Sequence, residues 1–237
     1  LAIALKAQEC HIFTDVEGIY TADPKLVAEA TKISEIGYEE MLELSNYGFK
    51  MHPRSIELGS IFQMPIVVRS SASKAPGTLI HHVKEHNQNK ICGVAADTDV
   101  ASITMRSLPN KAGTSSEIFG ALAEAGISVD TIVKNTSINN QSDLTFTVSR
   151  VDLDKSLQIV RPMMSPITQN QITSDATLAK ISVVGTGMQR VAGFAKTLFH
   201  SLSENHIDIH LITTSEIRIT CVIPEIQIPT AVQSLHK

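Results

Sequence analysis

The sequence predicts an α/β segment followed by two small α+β units of ferredoxin-like βαββαβ order, the first inserted within the second. Three observations lead there. Residues 1–80 read as strand, helix, helix, strand, the alternation of an α/β domain. Residues 101–136 lie over 181–216 without a gap. One apolar run, 91–96, has no place in the first copy, whereas the second copy is a strand short.

In residues 1–80, the run 1–5 reads as the end of a buried helix, and the sequence as the C-terminal part of something longer. Residues 10–16 lean apolar and read as a strand stopped by Glu17-Gly18. Met41, Leu42 and Leu44 among acids make 38–45 an amphipathic helix closed near Gly48. Pro53 suits the first turn of a helix reaching about Phe62, because its missing N–H costs nothing there. Residues 65–70 (Pro-Ile-Val-Val-Arg-Ser) read as a strand that begins on proline. The stretch 81–90 is polar without an apolar face and reads as a linker. His82 and His86 stand one helical turn apart, but with no third ligand a solvated linker is preferred to a metal site.

The repeat matches Ser102 with Ser182, Gly113 with Gly193, Phe119 with Phe199, Leu122 with Leu202 and Ile127 with Ile207. Strands are predicted at 101–106, 127–133, 144–149 and about 171–174, with helices at 114–125 and 152–164. Thr114-Ser115-Ser116-Glu117 reads as a capping box, and Gly126 as the left-handed residue that ends the helix. The second copy repeats the order, with strands at 179–184, 207–213 and 216–222 and helices at 191–203 and 228–236. The spare strand 91–96 then crosses over to complete the second sheet. The expected division is therefore 1–80, a linker at 81–90, a strand at 91–97, a first unit at 98–176 and a second at 177–237. A duplicated unit buries its faces against its neighbour, so the pair points to a sensor rather than a single enzyme core.

The 237 residues carry a net charge of −4 and are 43% hydrophobic, which speaks against nucleic-acid or polybasic membrane partners. Three cysteines, Cys10, Cys92 and Cys221, show no close spacing and read as reduced thiols of a cytoplasmic protein. No apolar run reaches membrane-span length.

Residues 14–25 (Thr-Asp-Val-Glu-Gly-Ile-Tyr-Thr-Ala-Asp-Pro-Lys), 48–55 (Gly-Phe-Lys-Met-His-Pro-Arg-Ser) and 68–71 (Val-Arg-Ser-Ser) resemble the aspartate kinase family, in its order. Residues 91–237, including Thr-Ser-Glu-Ile-Arg at 214–218, resemble that family's paired ACT units. The resemblance implies the C-terminal part of an amino-acid-kinase domain followed by two ACT units. It implies ATP with Mg2+ as the substrate complex and L-aspartate as phosphoryl acceptor, with lysine or threonine feedback. It also implies a homodimer built through the ACT units.

The residues themselves agree with a nucleotide site. Thr14 and Asp15 end a strand at the mouth of an α/β sheet, where ligands are held. Asp15 can accept from a ribose or adenine donor, and Tyr20 offers a ring face. The backbone of Thr21, Ala22 and Asp23 can read a base edge; Pro24 stiffens the turn, and Lys25 and Lys50 supply charge for phosphates. From the residues alone, a plain turn and solvated lysines serve equally well; the resemblance favours the nucleotide. The family's Lys-Phe-Gly-Gly-Thr-Ser motif and aspartate-contacting segment are absent, so no catalytic residue is assigned and no turnover is expected of this chain alone. Lys25 also stands where the family most often has arginine.

For an effector, Asn110, Ala112 and Gly113 lead into a helix N-terminus suited to a carboxylate. By resemblance, its ammonium and side chain meet Ile127, Ser128, Val129 and Asp130, with Asn135, Thr136 and Ser137, and Ser215 and Glu216 of the other copy. Asp130 also reads as a solvated strand-end acid, and Asn135 and Ser137 as turn residues. The second copy has Val191-Ala192-Gly193-Phe194 where His-Pro-Gly-Val is common, so it contributes strand residues rather than a full site. The rival reading is a non-catalytic, amino-acid-sensing regulatory subunit. A third, weaker reading is another amino-acid kinase, which the ACT tail opposes.

Overall fold

The α/β segment comprises β1 (Cys10–Thr14), β2 (Glu35–Gly37), α1 (Tyr38–Asn46), α2 (Pro53–Ile61), β3 (Ile66–Ser70) and β4 (Thr78–His81). The computed structural model describes residues 1–46, 51–83, 91–136, 140–164, 171–188 and 193–236. The four strands lie in the order β1-β3-β4-β2. β1 runs parallel to β3 with Thr14 opposite Ser70, and β2 runs parallel to β4. Helix α1 buries Tyr38, Met41 and Leu44 against Ile36, Ile56, Ile66, Val68 and Ile80. Burial of each such aliphatic side chain contributes about 1.5–3 kcal/mol. The Tyr38 hydroxyl keeps a partner there by donating to Met64 O at 2.8 Å. Pro53 takes the first turn of α2 as expected, after His52, whose Nδ1 accepts from the Arg54 N–H.

The short strands β2 and β4 are not visible in the sequence pattern, and β4 overlaps the start of the expected linker. They form because Thr78, fully buried, accepts the Ile19 N–H at 2.8 Å and donates to Ile33 O at 2.6 Å. Tertiary bonding outweighs local propensity here. Residues 1–5 do not form a buried helix. They make an isolated turn, with the Leu5 N–H on Leu1 O, and Leu1 and Leu5 lie on the surface.

Next come β5 (Ile91–Pro109), α3 (Thr114–Glu124), β6 (Ile132–Thr136), β7 (Gln141–Val148) and α4 (Leu153–Val160). They are followed by β8 (Ile172–Gly185), α5 (Phe194–Glu204), β9 (Leu211–Thr214), β10 (Arg218–Pro224) and α6 (Ile228–His236). The chain divides into Leu1–Asp97 with Lys180–Lys237, and Thr98–Ala179. β5 and β8 contribute to both units. In the inserted unit the order is β6-β7-β5-β8, and in the host unit β5-β8-β10-β9. The N-terminal part of β5 thus completes the second sheet, and the first βαββαβ unit is an insertion in the second.

The two long strands correct a detail of the sequence reading. Residues 91–96 and 101–106 belong to one 19-residue strand, and 172–174 and 179–184 to one of 14 residues. The polar run Asp97-Thr98-Asp99 looked like a break. The ladder carries the backbone through it, and the Asp99 carboxylate accepts the Arg150 N–H at 2.9 Å.

Residues 127–131 form no strand, and β6 begins only at Ile132. Helix α3 ends in a Schellman turn that takes the Ile127 N–H to Leu122 O and the Gly126 N–H to Ala123 O, with Gly126 at φ 75°. In the second copy the Ile207 N–H likewise turns back to Leu202 O, and β9 begins at Leu211. The capping box does not form. Gly113 is the N-cap of α3 with φ 98° and no side-chain cap, and the Thr114 hydroxyl donates instead to Pro109 O. The inserted unit packs Ile103, Met105, Leu122, Leu144 and Phe146 into its own core, with Phe119 edge-on to Phe146.

Candidate functional site

The parallel strands β1 and β3 end side by side at Thr14 and Ser70, and the Ser71 N–H donates to Thr14 O at 2.8 Å. Thr14 Oγ1 donates to the exposed Asp15 carboxylate at 2.9 Å. Gly18 lies against Thr78, and a Cβ there would come within 2.5 Å of Thr78 Oγ1, so this close approach requires glycine. From Ile19 the chain forms a narrow loop. The Ile33 N–H reaches Ile19 O, Tyr20 bridges Lys32, and the Thr21 N–H reaches Thr31 O. Asp23 then makes a tight turn, its carboxylate accepting the Lys25 N–H and its carbonyl the Leu26 and Val27 N–H groups. Asp23, Pro24 and Lys25 are exposed and Tyr20 is half-buried.

This geometry sorts the residues singled out for a nucleotide. Asp15 and Lys25 present exposed side chains, the Tyr20 ring is half-buried, and the Asp23 carboxylate is taken up by the Lys25 N–H. Ala22 is fully buried. The Thr21 backbone is engaged on both sides, because its carbonyl accepts the Val94 N–H at 2.8 Å while its N–H is bound to Thr31. Thr21 therefore anchors the loop to β5, and its own N–H and carbonyl are already engaged within the protein. Lys50 lies outside the described residues, as do Ser137 and, of the metal pair weighed above, His86. Among the described residues no cluster of His, Cys, Asp or Glu could hold a metal ion, and no helix is long and apolar enough to cross a membrane.

Four contacts to this segment had no clear signal in the sequence. Thr21 Oγ1 is hydrogen-bonded to His236 Nε2 at 2.7 Å, and Gln233 Nε2 donates to Leu26 O at 2.9 Å. Gly93 approaches so closely that a Cβ would sit 2.9 Å from Thr21 O. Arg218, in the motif at 214–218, donates to the Glu43 carboxylate of α1 at 3.1 Å. The only faint hint was the spacing of Gln233 and His236, i, i+3 on one helix.

The residues singled out for an effector fall at two ends of the inserted unit. Asn110, Ala112 and Gly113 sit before α3, and the Asn110 N–H donates to Asn140 O. Asn135 and Thr136 pair with Asp143 and Ser142 at that same end. The first turn of α3 carries no side-chain cap, so its N–H groups face outward with the positive end of the helix dipole. Ile127, Ser128, Val129 and Asp130 lie at the other end, where the Asp130 N–H donates to Thr147 O. Gln141 and Thr147 are six strand residues apart, about 20 Å. Ile127 is buried, whereas Ser128 and Asp130 are exposed. In the host unit Ser215 and Glu216 form the turn between β9 and β10, with the Ser215 N–H on Arg218 O.

An α/β segment carrying two such βαββαβ units defines an ACT-regulated protein of the amino-acid-kinase type. The family comparisons agree. The ACT domain model matches residues 102–162 and 181–237, and the amino acid kinase family model matches 1–70. The chain belongs to the aspartate kinase family. It is 39% identical to the aspartate kinase of Stutzerimonas stutzeri over 100% of its own length, and spans 58% of that relative. It resembles the structure of E. coli aspartokinase III in complex with lysine and aspartate, with a TM-score of 0.76 and 28% identity. That match covers 99% of this chain and 52% of the other. It also resembles separate subunits. A structure of aspartokinase alpha and beta subunits is 37% identical, with a TM-score of 0.57, covering 62% of this chain and 97% of that one. The regulatory subunit of aspartate kinase from Thermus thermophilus is 29% identical, also with a TM-score of 0.57, covering 62% and 96%.

Proposed function

We propose that this chain is the amino-acid-sensing part of an aspartate kinase, carrying one flank of the nucleotide cleft and no turnover of its own. The observation that carries this reading is the unequal share of the two modules. The kinase model matches only residues 1–70, whereas the match to a separate regulatory subunit takes in 62% of this chain and 96% of that subunit. The whole protein would phosphorylate L-aspartate from ATP with Mg2+, giving 4-phospho-L-aspartate. Phosphoryl transfer needs charges clamped on both sides of the transferred group, and this chain offers Lys25 on one side. A coupled assay of the purified chain should detect no phospho-aspartate above background; turnover would overturn this part of the reading.

Lysine, threonine or both are the effectors, and the lysine complex of the E. coli relative favours lysine. The uncapped start of α3 suits the effector carboxylate, and Asp130 suits its ammonium. A free amino acid is far shorter than the 20 Å or so between those two ends, so one unit does not supply both. A second copy of the chain supplies the facing strand, which makes the effector site a property of a homodimer. Calorimetry should show lysine binding to the wild type and an affinity at least tenfold lower for Asp130→Ala, with sedimentation showing a dimer. Equal binding by the variant, or a monomer that still binds, would place the site elsewhere.

A further inference from the structure

The contacts between the loop at 20–27 and the sensor are specific and directional, and we propose that α6 of the second ACT unit positions the nucleotide loop, with His236 and Gln233 as the positioning residues. The proposal rests on the reading of Tyr20, Asp23 and Lys25 as nucleotide contacts. The loop is held at both ends. At its start, Thr21 Oγ1 accepts the Thr31 N–H at 3.0 Å and shares a proton with His236 Nε2 at 2.7 Å. A threonine hydroxyl offers one donor and two acceptor sites, so both bonds are satisfied together. At its end, Leu26 O takes the Gln233 side-chain amide at 2.9 Å. Between those anchors lie the exposed Asp23, Pro24 and Lys25.

The inner side of the loop is fixed by β5. Gly93 and Val94 abut Thr21, and the Gly93 position has no room for a Cβ beside Thr21 O. The loop therefore yields chiefly through α6. Helix α6 is in turn braced on α5, where Ser201 Oγ donates to Ser234 O at 2.9 Å. A shift of α6 along its axis would break bonds at both ends of the loop together, so Lys25 would lose its place opposite a phosphate. Neither His236 nor Gln233 need touch the nucleotide.

The test uses the whole chain, amide-resolved NMR and ATP itself as the probe, titrated to millimolar concentration. In the double variant His236→Ala, Gln233→Ala, the Thr21 and Val27 amides should exchange at least tenfold faster, with α1 and β3 amides unchanged. ATP-induced shifts at Tyr20, Asp23 and Lys25 should need at least fivefold more ATP. His236→Gln restores a hydrogen-bonding group toward Thr21 and should recover most of the affinity, whereas His236→Leu should not. Loop exchange or ATP affinity unchanged in the double variant would overturn the positioning role, as would equal rescue by leucine. Faster loop exchange in a chain whose wild type takes up no ATP would instead overturn the nucleotide reading and reduce the contact to packing.

Discussion

At the ends of their first helices the two ACT units carry the same hydrogen-bonded turn on different residues. In the inserted unit Gly126 takes the left-handed position at φ 75°; in the host unit the aligned residue is His206 at φ 54°. Glycine adopts that conformation freely, whereas a side chain pays about 1–2 kcal/mol for it. The two copies also differ in what shares their cores. The inserted unit closes on its own residues. In the host unit Ala95 of β5 and Val184 of β8 pack with Ile19, Ile36 and Tyr38 of the kinase segment. One fold has thus taken two roles. The inserted copy closes on itself, and the host copy is built into the structure that holds the loop at 20–27.

Cavities should separate the two roles most sharply. Leu122 and Leu202 are aligned and fully buried. Truncation of either to alanine should cost about 3 kcal/mol. Hydrogen exchange should show Leu122→Ala loosening only residues 98–179, and Leu202→Ala speeding exchange at Thr21 and Val27 as well. Identical patterns would erase the distinction. A smaller effect is expected at the turns, read from the denaturation midpoint of each unit. Gly126→Ala should destabilise the inserted unit by about 1 kcal/mol, and His206→Gly should stabilise the host by about as much.

The last effect is nil at neutral pH and appears only in alkali. None of the three cysteines lies in the inserted unit, and burial pushes the thiol of Cys221, in the host unit, up from 9.0 to about 11. Between those values the unfolded chain releases a proton that the folded chain keeps. Host stability should therefore fall as pH rises from about 9 to about 11 and be insensitive to this group below 9. The inserted unit should show no such thiol-linked loss in pH-dependent denaturation.

How far the sequence could be read depended on how local each signal was. The repeat, the helix boundaries at Pro53 and Gly126, and the crossover of 91–96 all follow from periodicity and glycine or proline chemistry within a few residues. The capping box failed because Gly113 takes the N-cap position at φ 98° and Thr114 turns to Pro109 O instead. The long strands were read as four short ones because a polar triplet resembles a turn until its neighbours on the ladder are known. The residues singled out for an effector could be chosen by type, but the distance that separates Asp130 from Gly113 was not legible. His236 and Gln233 were invisible as partners of Thr21 and Leu26, since over 200 residues separate each pair.

The insertion also sets an order of assembly on the ribosome. The first strand segment of the host ACT sheet, 91–97, emerges before the whole of Thr98–Ala179, while its partners in β8, β10 and α6 emerge after it. At about 5–20 residues per second, that strand edge waits several seconds for its neighbours. The inserted unit, with its own core, can fold during that interval and shorten the effective loop that the host must close. His236 lies in the last turn of α6, so the bond that pins Thr21 is made only after both ACT copies have been synthesised. A nascent chain thus completes both ACT copies before the loop at 20–27 is pinned.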